Sequence, residues 1–119
     1  PPANARDGVC DLLGCIAASG EGSFLAVLKQ FGSIPSPGLL SFPRPGATLA
    51  IDFANGGGVT FDLLDRLDEV VSAAGGAVYP AKDARMSGSR FRQYFPAWRQ
   101  FREFLDPAFS SGFWRRVMQ

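Results

Sequence analysis

Thr48-Leu49-Ala50-Ile51-Asp52-Phe53 alternates along its length, with Leu49, Ile51 and Phe53 on one side and Thr48, Ala50 and Asp52 on the other. A period of two marks a β-strand, because successive side chains leave opposite faces of the pleat. One face is apolar enough to pack. The other is small and polar, as the ligand-facing surface of a sheet would be. Upstream, Ser23 to Phe31 reads as a second strand, and its nearly continuous apolar run predicts burial on both faces. Lys29 interrupts that run. A charge near the end of a buried strand is costly unless it is paired or faces a cavity, so Lys29 is either a snorkelling edge residue or a site residue.

Between the two strands, Ser33 to Gly46 holds Pro35, Pro37, Pro43 and Pro45, which exclude regular helix and predict an ordered extended loop. Leu39, Leu40 and Phe42 make it too apolar for a linker, so it is expected to pack as an irregular wall or edge strand. Ahead of the strands, Arg6 to Ser19 reads as a helix with Val9, Leu12, Leu13, Ile16 and Ala17 on its inner stripe and Gly20 as its stop. After them, Asn55-Gly56-Gly57-Gly58 reads as a turn, since it lacks the Lys-Ser or Lys-Thr of a phosphate loop. Thr60 is then expected to cap a helix to about Ala74, with Leu63, Leu64, Leu67, Val70, Val71 and Ala74 inward and Gly75-Gly76 ending it. Gly76 to Tyr79 is expected as a third strand.

The order helix, strand, strand, helix, strand predicts an α+β fold: a ferredoxin-like antiparallel sheet with helices packed on one face, lacking its first strand. Pro1-Pro2 is then expected to be the tail of that strand, and the sheet edge left unpaired could recruit a second copy of the chain. Ser87 to Tyr94 and Pro96 to Leu105 follow as two short helices, the second ended before Asp106-Pro107. Tyr94, Phe95, Trp98, Phe101 and Phe104 interleave there with Arg90, Arg92, Arg99 and Arg102. Arginine beside aromatics can bind single-stranded nucleic acid, but the helical spacing of the apolar members favours a packed helix with a basic outer face.

At 119 residues, 46% hydrophobic and 13% aromatic, the chain is expected to form one domain with a core of its own. Twelve basic against eleven acidic residues argue against a dominant nucleic-acid or membrane-surface field. Cys10 and Cys15 point to different faces of one predicted helix, and with no histidine and no Cys-x-x-Cys a zinc site is not expected. No apolar run approaches the ~20 residues that span a bilayer, so a cytoplasmic protein is expected.

Tyr79-Pro80-Ala81-Lys82-Asp83-Ala84-Arg85-Met86 carries the densest chemistry. At the exit of a strand, a lysine point charge and an arginine fork suit a phosphate, a carboxylate or the electron-rich edge of a cofactor ring. The plainer alternative is an exposed turn in which Asp83 pairs with Arg85 or caps the next helix.

Five segments occur in a telling order: 24–32, 39–46, 48–53, 63–68 and 79–86. Together they resemble the C-terminal domain of FAD-linked oxidoreductases of the vanillyl-alcohol oxidase superfamily, in the branch of the decaprenylphosphoryl-ribose and aldonolactone oxidases. The resemblance implies that residues 1–119 are the substrate (cap) domain of a larger enzyme whose FAD-binding domain is absent here, so the fragment alone would neither hold FAD nor turn over. It implies that Lys82 approaches the flavin pyrimidine edge and the substrate as the catalytic and cofactor-binding cation. Lys29, Thr48, Ala50, Tyr79 and Arg85 would line the substrate pocket. Ala50 stands where decaprenylphosphoryl-ribose oxidases hold a cysteine, so what is implied is the general reaction, oxidation of an alcohol carbon of a sugar, polyol or related substrate. The resemblance also implies that the Arg115-Arg116 tail returns to the cofactor domain and is free or displaced in the fragment. The rival expectation is a stand-alone ferredoxin-like module that binds a ligand or RNA, or dimerises, without catalysis.

Overall fold

The computed structural model of the chain describes residues 1–82 and 85–119. Asp83, expected to pair with Arg85 or to cap a helix, lies outside the described residues. The fold is α+β, and its helices and antiparallel strands fit ferredoxin-like packing. The chain divides into two compact units, 1–35 with 43–77 and 36–42 with 78–119.

In the first unit, helix α1 (Ala5–Ser19) ends at Gly20, whose φ of 74° closes the last turn as the sequence predicts. Its stripe is rotated from the expected one. Gly8, Val9, Leu12, Cys15 and Ile16 are half-buried, while Leu13 and Ala17 are exposed. The reason is Gly8: a Cβ there would stand 3.2 Å from the Cβ of Ala74, so the glycine lets α1 lie close on the end of helix α2 (Gly58–Ala73). Asn4 reinforces the contact, its Nδ2 donating to the Ala74 carbonyl at 3.2 Å. α2 turns Thr60, Leu63 and Leu67 fully inward, in line with the predicted face. Thr60 is not its cap, however. Gly57 holds that position with φ 73°, and the Thr60 hydroxyl, in the first turn, accepts from the Gly56 amide at 2.9 Å and donates to the Ala54 carbonyl at 3.1 Å.

Strands β1 (Ser23–Phe31) and β2 (Gly46–Phe53) form an antiparallel pair running from Phe31 opposite Gly46 to Ser23 opposite Phe53, with an irregularity between Ser23 and Ala26. Two expectations fail here. The described residues form a two-stranded sheet, and 76–79 is irregular rather than a third strand. β1 is exposed along most of its length, not buried on both faces; only Val27 and Phe31 are half-buried, and Phe24, Leu25 and Leu28 are open to solvent. Its apolar run has one strand beside it, and a run that could fill an interior stands at an edge.

The second unit is built on aromatic rings. Helix α3 (Gly88–Tyr94) is capped by Ser87, whose Oγ accepts from the Arg90 amide at 3.3 Å. It buries Phe91 and Tyr94, with Phe95 and Met86 beside them. Helix α4 (Trp98–Arg102) is shorter than the expected Pro96–Leu105. Helix α5 (Gly112–Val117) holds Arg115 and Arg116, expected in a free tail. Its rings explain the order: Phe113 and Trp114 meet Phe91 edge-on at 5.5 and 6.0 Å, and Trp114 meets Phe101 at 5.5 Å. Gly88 permits the approach, since a Cβ there would stand 2.5 Å from the Val117 carbonyl oxygen.

Candidate functional site

The expected site residues fall into two groups, one in each unit. In the first, the register sets Lys29 directly opposite Thr48 and Val27 opposite Ala50. Residues opposite each other on paired strands share a face, as do residues two apart along one strand. Lys29, Thr48 and Ala50 therefore lie together on one face of the sheet. Lys29 and Ala50 are exposed and Thr48 half-buried, so the face offers an ammonium, a hydroxyl and a small apolar surface to a ligand.

In the second unit, Tyr79 precedes a 3-10 turn, Pro80–Lys82, that ends on Lys82. Lys82 thus leaves a tight turn rather than a strand. The Tyr79 ring stands edge-on to Phe42 at 5.2 Å with a 62° interplanar angle, which fixes the ring while leaving it about half exposed. Phe42 was foreseen only as part of an apolar loop, although an aromatic in so proline-rich a segment signals a packing contact. Lys82 is exposed and Arg85 half-buried. The described residues contain no cluster of three or more His, Cys, Asp or Glu placed to hold a metal ion. Both cysteines are free thiols.

A separate open cleft of about 310 Å³ lies where β2 meets the start of α2, lined by Ile51, Asp52, Phe53, Asn55, Thr60, Phe61 and Leu64. Sequence reading missed it, because it joins the end of a strand, Ile51 to Phe53, to a helix face across a glycine turn. Mostly apolar, with a carboxylate at Asp52, it does not suit a phosphate-bearing group.

No family model matches the chain. Over 107 residues, or 86% of the chain, it is 36% identical to decaprenylphosphoryl-β-D-ribose oxidase of Mycolicibacterium smegmatis. The chain is similar to part of an oxidase. Over 108 residues it is also 40% identical to a Streptomyces coelicolor protein described as the uncharacterized protein in the mprA 5′ region. It spans 23% of the length of the oxidase and 29% of that of the Streptomyces protein. Among the described residues no helix is long and apolar enough to cross a membrane.

Proposed function

We propose that the chain is the substrate-binding domain of an FAD-dependent oxidoreductase that oxidises an alcohol carbon of a sugar, polyol or related substrate. The FAD-binding domain would lie elsewhere in a longer protein. The observation that carries this reading is the 36% identity to an oxidase over most of the chain. That relative's name places its chemistry on a ribose borne by decaprenyl phosphate, which makes a sugar alcohol the natural substrate class here.

The chain's own residues fit one edge of a flavin rather than its whole length. A dinucleotide needs donors for its diphosphate, and the cleft beside Asp52 supplies a carboxylate instead. Lys82, exposed at the end of its turn, suits the pyrimidine edge of the ring. Bound flavin supplies the acceptor for the hydride lost by the alcohol carbon. The Lys82 ammonium would offset negative charge gathering at that edge, an electrostatic role that needs a fixed cation and no proton transfer. Lys29 and Thr48, opposite each other, can donate to the oxygens of a polyhydroxylated substrate, and Ala50 leaves room beside them. Within the second unit, Tyr79, its ring held edge-on by Phe42, and Arg85 would offer an aromatic edge and a further cation. The partners on this reading are the FAD-binding domain, the sugar or polyol, and a second strand at the open edge of β1.

The test is the protein from its complete reading frame. Bound flavin that bleaches anaerobically on adding a sugar alcohol is expected, and Lys82→Ala should retain flavin while slowing that bleaching by about a hundredfold or more, the scale of losing one electrostatic stabiliser. A flavin-free product close to 12.8 kDa would replace this reading with a ferredoxin-like binding or dimerisation module.

A further inference from the structure

The near-neutral charge of the whole chain conceals a division. Of the twelve basic residues, four lie in the first unit and eight in the second; of the eleven acidic residues, eight lie in the first and three in the second. The first unit therefore carries −4 and the second +5. The sequence-level argument against a charged surface, drawn from the net charge of +1, does not hold for the second unit by itself.

Within that unit the connection from α4 to α5 has an uncommon build. Most aromatic rings nearby are engaged with one another, but Phe104 and Phe109, both on this connection, are 74% and 81% exposed. They are not on loose chain. Phe104 donates its amide to the Phe101 carbonyl at 3.1 Å, and Phe109 to that of Asp106 at 3.0 Å. The exposed Asp106 carboxylate accepts from the Ala108 amide at 2.8 Å, which helps hold the turn. At the far end, the Arg115 guanidinium donates to the Ser110 carbonyl at 2.6 Å, and Ser111 caps α5. Arg99, Arg102 and Arg115 are exposed on the flanking elements, with Glu103 and Asp106 as the exposed acids among them.

We propose that this connection is a peripheral docking surface for an anionic phospholipid bilayer. Two phenylalanines would enter the interfacial layer and the flanking arginines would meet lipid phosphates. Backbone hydrogen bonds that hold apolar rings out in water, with cations on both sides, give the composition of an interfacial anchor. An excess of basic residues supplies the complementary charge for an anionic leaflet. A single-stranded nucleic acid would instead need a platform of open rings along a groove, and here Phe91, Phe101, Phe113 and Trp114 pack edge-on against one another. This surface is independent of the redox reading.

The experiment is co-sedimentation of the intact protein from its complete reading frame with two kinds of vesicle: phosphatidylcholine alone, and phosphatidylcholine doped with phosphatidylglycerol. Binding to the doped vesicles, weakened by added salt, is the expected result. Arg102→Glu should weaken it by at least about fivefold, the scale for one basic residue at an anionic surface. The double variant Phe104→Ser, Phe109→Ser should weaken it by roughly tenfold or more, the scale for withdrawing buried apolar surface. Thermal melting and flavin absorbance on the same preparations separate loss of docking from loss of fold and from failure of the redox reading. No binding to doped vesicles, binding indifferent to Phe104 and Phe109, or capture of single-stranded RNA in place of vesicles would each overturn the proposal.

Discussion

At the scale of single residues, the least reactive positions give the sharpest expectations. Gly14 sits inside α1 with nothing within 4 Å of where a Cβ would stand, whereas a Cβ on Gly88 would stand 2.5 Å from the Val117 carbonyl oxygen. Gly14→Ala should therefore stabilise the chain by about 0.5–1 kcal/mol, the helix-interior cost of glycine. Gly88→Ala should destabilise it by about 1–3 kcal/mol, the scale of overpacking against a group that cannot rotate away. Urea denaturation midpoints measure both, and equal signs would show that the α3–α5 approach is not as described. The role of Gly14 was open to sequence reading, because it depends only on its helix. That of Gly88 was not, because its neighbour is distant in the chain. Thr60 teaches the same lesson. Its residue type suggested a cap, but its hydroxyl bridges Gly56 and Ala54 while 4% exposed. Thr60→Val should cost about 1 kcal/mol through loss of the two bonds its hydroxyl makes, since the Gly56 amide and Ala54 carbonyl keep their own bond at 3.1 Å, and Thr60→Ser much less.

Among the elements, those whose cues are local were legible and those resting on distant partners were not. The alternation of 48–53 placed β2, the stripe of 63–74 placed α2, and Gly20 placed the end of α1. The same alternation set Thr48 and Ala50 on one face, and the register adds Lys29 to it. Residues 76–79 failed as a strand because four residues of suitable composition need a partner edge to become one. α5 was missed because six residues do not form a stable helix in isolation; it is held by Ser111 at its start and by rings against Phe91 and Phe101. The cap should matter accordingly. Ser111→Ala is expected to cost about 1 kcal/mol and to shift Trp114 fluorescence toward the red, while Ser110→Ala, which keeps the backbone carbonyl bonded to Arg115, should leave the emission unchanged. An unshifted Trp114 signal in Ser111→Ala would mean that ring packing alone holds α5.

For the molecule as a whole, the outstanding physical problem is the edge of β1. Phe24, Leu25 and Leu28 stand open along a strand whose described pairing is with β2 alone, and an extended apolar edge is a template for another strand. Such a run is expensive to keep in water, since each large apolar side chain left exposed forgoes about 1.5–3 kcal/mol of burial. The 119-residue chain studied alone should therefore associate as its concentration rises, and sedimentation velocity across a dilution series would show it. Leu28→Lys is the discriminating change. Leu28 is 63% exposed, so the substitution should leave helix content and melting temperature within the small range of surface mutations, while a charge on the edge opposes strand addition. A variant that stays monomeric where the parent chain associates would identify β1 as the adhesive edge. A parent chain that remains monomeric throughout the series would show that the edge is blunted by its own irregularity between Ser23 and Ala26, where the local ladder is disrupted.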